Sequence, residues 1–439
     1  MQSLQGLKSG EYRGAKKLKL CCGLSGFPKE IFDLSDSLEI LDLSGNPLSE
    51  LPEDFSSLRN LKVAFFSDCK FKIFPNLSQC PVLEMVAFRG NEMARIPEDV
   101  LPPKLRWLIL TNNAIKELPE SIGNCDRLQK CMLAGNQLTE LPGGMANCRK
   151  LGLLRLSANR FTTLPDWLFN LPELSFLSFA GNPGTPSSAD NAILKEITWA
   201  DVSIQELLGQ GASGIISKGS WKAGEANKEV AVKLFNGDVT SDGRPIDEMN
   251  ACIAAGQHPN LINPLGKIHG HPEKAGLVLQ LVPQNYKNLG LPPSFESCTR
   301  DEFHPETVLS FEKCKTILRS IAAAAAHIHT KGILHGDLYA HNILTDHTGN
   351  SLLGDFGAAT LHGQEQENAQ AFERLEVLAF GHLIEDMIRL VNRPVDGSIL
   401  GEKEAFEIDI LNELHGRCTR PVPSERPLLK EINDVLMNL

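Results

Sequence analysis

The sequence predicts an α/β chain in two unlike parts, a repeat solenoid followed by a domain of different composition. Three observations predict it. An apolar pattern recurs every 22 or 23 residues from Leu38 to Leu174. The net charge of −11 is uneven, with residues 1–184 at +1 and the remainder at −12. Beyond the pattern, a glycine-rich motif is followed by two β-branched runs.

A chain of 439 residues has room for two to three domains. Its 22% charged and 42% hydrophobic residues are ordinary for a globular protein. No apolar run approaches ~18 residues, so no membrane span is expected. The start, MQSLQGLKSGEYRGAKKLKL, lacks the apolar stretch of a signal peptide. The eleven cysteines are scattered without a C-x-x-C, which points to reduced thiols and a cytoplasmic setting. Cys80, Cys125 and Cys148 fall near one column of the repeat and read as small buried side chains. Neither part has the basic stripe of a nucleic-acid binder.

The first full repeat reads LEILDLSGNPLSELPEDFSSLRN, and equivalents begin at Leu61, Leu83, Leu105, Leu128, Leu151 and Leu174. Asn46, Cys69, Asn91, Asn113, Asn136, Asn159 and Asn182 fill one position, matching the leucine-rich repeat pattern. Each such side chain is suited to bond turn backbone and build a ladder along the stack. LKLCCGLSGFPKEIF, 18–32, is a degenerate unit that reads as an N-terminal cap. Leu-Pro or Ile-Pro recurs at the exit of the repeats, where no sheet hydrogen bond is needed. The repeat resembles intracellular leucine-rich repeats.

Alternation along each short strand should point its third and fifth repeat positions out of the concave face. These columns include Phe65, Met85, Trp107, Ile109, Met132 and Phe176. A contiguous apolar face marks an interaction site. The expectation is a protein partner or substrate there, the alternative being an intramolecular or dimer contact that covers the face.

PGTPSSADNAILKEIT, 183–198, reads as repeat exit and linker. Gly209, Gly211 and Gly214 then form G-x-G-x-x-G, with Ile216 beyond. Dinucleotide sites share that spacing, but they run into a helix, whereas IISKGSW and EVAVKLF read as two strands and hence a hairpin lid. Val230-Ala231-Val232-Lys233 follows, and Glu248 is the best acidic partner for Lys233, with Asp247 the fallback. LVLQLVP, 277–283, suits a buried strand and hinge, placing Leu279 at its inner position and Leu281 beyond it. An Ala-rich helix over 311–332 leads into HGDLYAHNIL, and Asp355-Phe356-Gly357 comes next.

This order of motifs resembles the eukaryotic-type protein kinases over roughly residues 199–439, and Arg426-Pro427 fits the end of that domain. The resemblance implies a leucine-rich-repeat solenoid followed by an α+β bilobal protein-kinase-like domain. Its parts would be a cap (1–37), repeats (38–184), linker (185–198) and kinase-like domain (199–439). It further implies ATP and Mg2+: Lys233 on the phosphates, Asp337 as catalytic base, Asn342 and Asp355 as metal ligands, and the glycines, Ile216, Ala231, Leu279 and Leu281 around the nucleotide.

The sequence departs from that family in three places. Gly336 replaces the Arg that binds a phosphorylated loop, and the loop after Asp355 holds one hydroxyl residue, Thr360; activation by loop phosphorylation is not expected. From Asp355 to Glu376, the stand-in for the helix-F aspartate, there are only 21 residues, too few for the usual peptide platform. Tyr339 replaces a Lys near the γ-phosphate, and His341 could supply positive charge instead. HGD also resembles small-molecule phosphotransferases. The expected function is phosphoryl transfer to Ser or Thr of a protein recruited by the repeats. The alternatives are a nucleotide-binding scaffold and a small-molecule kinase.

Overall fold

The structure is a computed structural model that describes residues 2–186, 194–211, 213–237, 239–363, 368–391 and 401–439. The centre of the expected linker, 187–193, and residues 364–367 of the loop after Asp355 lie outside the described residues. The chain forms two compact units, Met1–Glu173 with Asn182–Gly184, and Leu174–Gly181 with Thr185–Leu439. Leu174–Gly181, expected to close the repeats, therefore counts with the second unit.

The first unit opens on the short helix α1 (Leu4–Lys8), capped by the Ser3 hydroxyl, which accepts from Gly6 N–H at 3.0 Å. Seven three-residue strands follow, one per repeat: β1 (Lys17–Lys19), β2 (Ile40–Asp42), β3 (Val63–Phe65), β4 (Met85–Ala87), β5 (Trp107–Ile109), β6 (Lys130–Met132) and β7 (Leu153–Arg155). They pair in parallel and in sequence order, position for position. The central residue of each strand is fully buried, as its leucine, valine, alanine or cysteine character requires.

The turns explain the asparagine column. Asn136 Nδ2 donates to Leu110 O and Leu133 O, both at 2.9 Å, and its Oδ1 accepts from Ile115 N–H at 3.1 Å. One amide thus satisfies three backbone groups in adjacent repeats, at a buried site where each would otherwise be costly. Asn46, Asn91, Asn113 and Asn159 bond in the same way. Cys69 has one weak donor to offer, with Leu43 O and Ser67 O both at 3.5 Å. The prolines have a definite use too. Pro52, Pro119, Pro142 and Pro165, with φ near −65°, each precede a single 3-10 turn on the side away from the strands. Cys80, Cys125 and Cys148 are buried free thiols.

The second unit begins with β8 (Phe176–Ser178). A six-stranded sheet follows, built from β9 (Glu196–Thr198), β10 (Val202–Gln210), β11 (Gly214–Ala223), β12 (Ala226–Phe235), β13 (Pro264–His269) and β14 (Gly276–Gln280). Its order is β10-β11-β12-β14-β13-β9, antiparallel except for the last pair. The VAVK run reads directly as pleat. Val230, Val232 and Val278 share one core with Ile197 and Trp221. Ala231, Leu277 and Leu279 share the other with Met249 and Ile253 of helix α2 (Pro245–Ala255). Period-2 alternation therefore turns Lys233 toward α2. Pro245 opens that helix and Gly256, at φ +68°, closes it.

The remainder is mainly helical. Helix α3 (Phe311–Thr330) is capped by the Ser310 hydroxyl, which accepts from Lys313 N–H at 3.3 Å, and ends in Lys331-Gly332 with Gly332 at φ +68°. Its buried face includes Ile317, Leu318, Ile321, Ala322, Ala325 and Ile328. Two short ladders accompany it, one of β15 (Lys287–Asn288), which precedes the helix, with β17 (Ile343–Thr345) and β18 (Ser351–Leu353), the other of β16 (Ile333–Leu334) with β19 (Thr360–Leu361). Helices α4 (Ala369–Leu390), α5 (Glu402–Cys418) and α6 (Leu429–Met437) complete the unit. No helix among the described residues is long and apolar enough to cross a membrane.

Candidate active site

A cavity of about 260 Å³ lies within the second unit. Gly211, Gly214 and Ile216 line it from the β10–β11 hairpin, Lys233 and Leu279 from the sheet, Glu248 from α2, and Asp355 and Gly357 from the far side. Ser213, Gly354 and Phe356 line it too, together with Thr240, Asp242, Cys252, Ile262 and Leu277, the last five not anticipated. Thr240 and Asp242 lie in an irregular approach to α2 that matches no motif. Three expected nucleotide contacts, Gly209, Ala231 and Leu281, do not line the cavity. Ala231 is buried in the core beneath it, and Leu281 packs half-buried against that core.

The three glycines are not equivalent. A side chain at Gly214 would meet Leu234 O at 2.3 Å, so glycine there permits close approach of β11 to β12. Nothing lies within 4 Å of a side chain placed at Gly209 or Gly211. Gly211 N–H donates to Gly214 O at 2.9 Å and closes the hairpin. The space kept open at Gly211 borders the cavity, where backbone can approach a phosphate.

Lys233 Nζ donates to Glu248 Oε1, so Glu248 is the partner; Asp247 pairs with Arg244 at 2.9 Å instead. Burial works against the Lys233 charge, but the Glu248 carboxylate, with Asp355 behind it, outweighs burial and raises its pKa. A fixed cation therefore faces the cavity.

The HGD stretch lies at the entry to a short loop after β16. Asn342 Nδ2 donates to Asp337 Oδ2 at 2.8 Å and to Asp337 O at 2.9 Å. Tyr339 N–H donates to Asp337 O at 2.8 Å, and Asn342 N–H to Tyr339 O at 3.0 Å. Gly354 N–H donates to Asn342 O at 3.0 Å, which brings Asp355, at φ +53°, beside Asn342. His335 anchors the same pair of segments through Nε2 to Gly354 O at 2.9 Å.

Glu376 holds this loop from below. Fully buried in α4, it accepts from Gly336 N–H at 2.6 Å, His335 N–H at 3.2 Å and His329 Nε2 at 2.7 Å. Burial pushes its carboxyl pKa up, but the His329 hydrogen bond and charge and the loop amides overcome it, leaving the net value below the ordinary one. Asp301, which no sequence signal marked, accepts from Ala340 N–H at 2.9 Å. His341 sits with Nδ1 3.7 Å from Asp301 Oδ1 and does not line the cavity.

Thr360, the sole hydroxyl residue between Asp355 and Glu376, is fully buried and accepts from Phe179 N–H at 3.0 Å. Ala371-Phe372-Glu373 begins α4 rather than a platform, and Glu373 Oε1 accepts from Leu429 N–H at 2.6 Å.

The candidate partner residues divide. Phe65, Trp107, Ile109 and Met132 are half-buried, and Met85 is buried at 8% exposure. Phe176 is a correction. At 2% exposure its ring stacks on Tyr339 at 3.9 Å, so it cannot meet a separate partner.

Three family models match the chain. Residues 202–378 match the protein tyrosine and serine/threonine kinase model. Residues 63–198 match a leucine-rich repeat region, and 37–58 a single leucine-rich repeat. Among curated proteins, the chain is similar to the L-type lectin-domain containing receptor kinase V.7 of Arabidopsis thaliana, at 32% identity over 36% of this chain and 23% of the relative. It is similar to cyclin-dependent kinase 11.1 of Caenorhabditis elegans at 27% over 44% and 26%. With the cysteine-rich receptor-like protein kinase 38 of Arabidopsis thaliana it shares 29% over 50% and 32%. The matched stretch thus spans about a quarter to a third of these relatives' lengths. The chain carries leucine-rich repeats followed by a protein kinase domain.

Proposed function

We propose that the protein transfers the γ-phosphoryl group of ATP to Ser or Thr of a protein substrate in the cytoplasm, with the repeats recruiting the substrate or a partner. The observation that carries this reading is the gathering of Lys233, Glu248 and Asp355 around one cavity, with the Asp337–Asn342 pair tied to Gly354 beside it. Phosphoryl transfer asks mainly for positioning and charge, and these groups supply both. Lys233 would hold the nucleotide phosphates. Asp337 would accept the proton of the acceptor hydroxyl, its Oδ2 held by Asn342.

Mg2+ suits the donor set. Asn342 Oδ1 and the Asp355 carboxylate are hard oxygens. Among the described residues no group of three His, Cys, Asp or Glu gathers as a protein cage, as fits an ion completed by phosphate and water. The ion would neutralise phosphate charge during transfer.

A small-molecule acceptor is the second reading, favoured by the short run from Asp355 to Glu376, too short for a peptide platform. Labelled ATP with Mg2+ separates the readings. Label in Ser or Thr of a generic protein supports the proposal. Label only in a sugar-like acceptor supports the second reading. Binding of ATP without transfer to any acceptor leaves a scaffold. On the repeats, Trp107→Glu is expected to weaken partner capture about tenfold or more while ATP turnover is unchanged, since a charge replaces apolar contact area; unchanged capture would reject the assignment of that face.

A further inference from the structure

Three departures from the protein-kinase pattern, Gly336, Tyr339 and the loop bearing Thr360, all meet one segment, Leu174–Gly181, inside the second unit. Phe176 lies on Tyr339 with rings 3.9 Å apart and 8° from parallel, both side chains buried. Gly336 is at φ +73°, and a side chain there would come within 2.6 Å of Leu177 O and 2.8 Å of Ala358 O. Phe179 N–H donates to Thr360 Oγ1 at 3.0 Å, and its ring stacks on Phe372 of α4 at 4.9 Å. Arg244 Nη2 donates to Gly181 O at 2.8 Å, fixing the end of the segment.

Tyr339 lies between Asp337 and Asn342 and bonds to both. Its N–H holds Asp337 O, and its carbonyl holds Asn342 N–H. Whatever fixes the Tyr339 ring therefore fixes the backbone from base to metal ligand. In kinases with Arg at the Gly336 position, a phosphorylated loop residue does that ordering. Here the Arg has no room, and the lone loop hydroxyl is spent on Phe179 N–H.

We infer that Phe176 is a positioning residue for phosphoryl transfer: by stacking on Tyr339 it holds the Asp337–Asn342 loop in its working geometry, in place of a phosphate latch. This rests on the proposed kinase reading. Aromatic stacking in a buried site has a defined geometry, which an aliphatic contact lacks.

The test uses the full chain. Phe176→Ala should lower kcat about tenfold with KM for ATP within about twofold, and should speed amide hydrogen exchange over Asp337–Asn342. Tyr339→Phe, which keeps the ring, should retain kcat within about twofold. Tyr339→Ala should match Phe176→Ala, and the double variant should lose no more than either. If Phe176→Ala does not fold, Phe176→Leu carries the same measurements. Unchanged kcat and exchange in Phe176→Ala, or a Tyr339→Phe defect as large as that of Tyr339→Ala, would overturn the inference. If the wild-type protein transfers no phosphoryl group, the kinase reading falls. The role in transfer then falls with it, and exchange decides the ordering contact alone: faster exchange in Phe176→Ala shows that Phe176 orders the loop, and unchanged exchange rejects that too.

Discussion

Gly336 shows why a missing residue can be more informative than a present one. Its positive φ and the two carbonyls within 3 Å of where a Cβ would sit leave no space for a side chain. Gly336→Arg, which would restore the common kinase residue, is expected to destabilise the domain by about 2 kcal/mol or more from backbone strain and overlap. A lowered melting temperature checks it. The opposite reasoning applies to Glu376, whose role depends on its charge. Its pKa is lowered on folding, so its contribution is fully present above the ordinary carboxylate value of about 4.3 and is lost as pH falls through the folded value. Glu376→Gln is expected to flatten the acid limb of stability below about pH 4 and to cost about 3 kcal/mol near neutrality, because loop amides and His329 lose an ionic acceptor. Denaturant melts across pH measure both. Lys233→Met is expected to reduce transfer about 100-fold or more by removing the fixed cation, and it leaves Glu248 buried without its counter-ion.

Elements were legible where one periodicity decides them. The strands of the repeats follow from their spacing, and alternation along the VAVK run accounts for Lys233 lying on the α2 side of the sheet. The asparagine column foretold its ladder because a single amide carries both donors and an acceptor. Of the two acids offered for Lys233, Glu248 and its fallback Asp247, Glu248 makes the ion pair. Asp301, Thr240 and Asp242 were not legible, since they sit in irregular segments where no period constrains the chain. Phe176 was misread for a different reason. Strand alternation gives the face on which a side chain lies, but not what covers that face. The glycine hairpin yields a test at this scale. Gly214→Ala is expected to cost more than 2 kcal/mol, because Leu234 O lies 2.3 Å from the new carbon. Gly211→Ala, with open space around it, should keep the fold and weaken ATP binding. Equal melting temperatures for the two variants would contradict that division.

At the scale of the molecule, the charge asymmetry and the repeat period separated two kinds of structure, and the structure divides the chain into two compact units near the same place. The difference, Leu174–Gly181, has a repeat's sequence and the second unit's contacts, so sequence register and packing disagree there. One consequence concerns regulation. With Thr360 buried and bonded, active protein is expected to carry no phosphate between Asp355 and Glu376, which intact-peptide mass spectrometry checks. The central claim is that the Asp337–Asn342 loop performs phosphoryl transfer. It is tested most directly by comparing wild-type protein with Asp337→Asn in transfer from labelled ATP, at matched folding and ATP affinity. The account predicts that transfer falls about 1,000-fold while ATP still binds; equal transfer by the two proteins would contradict it.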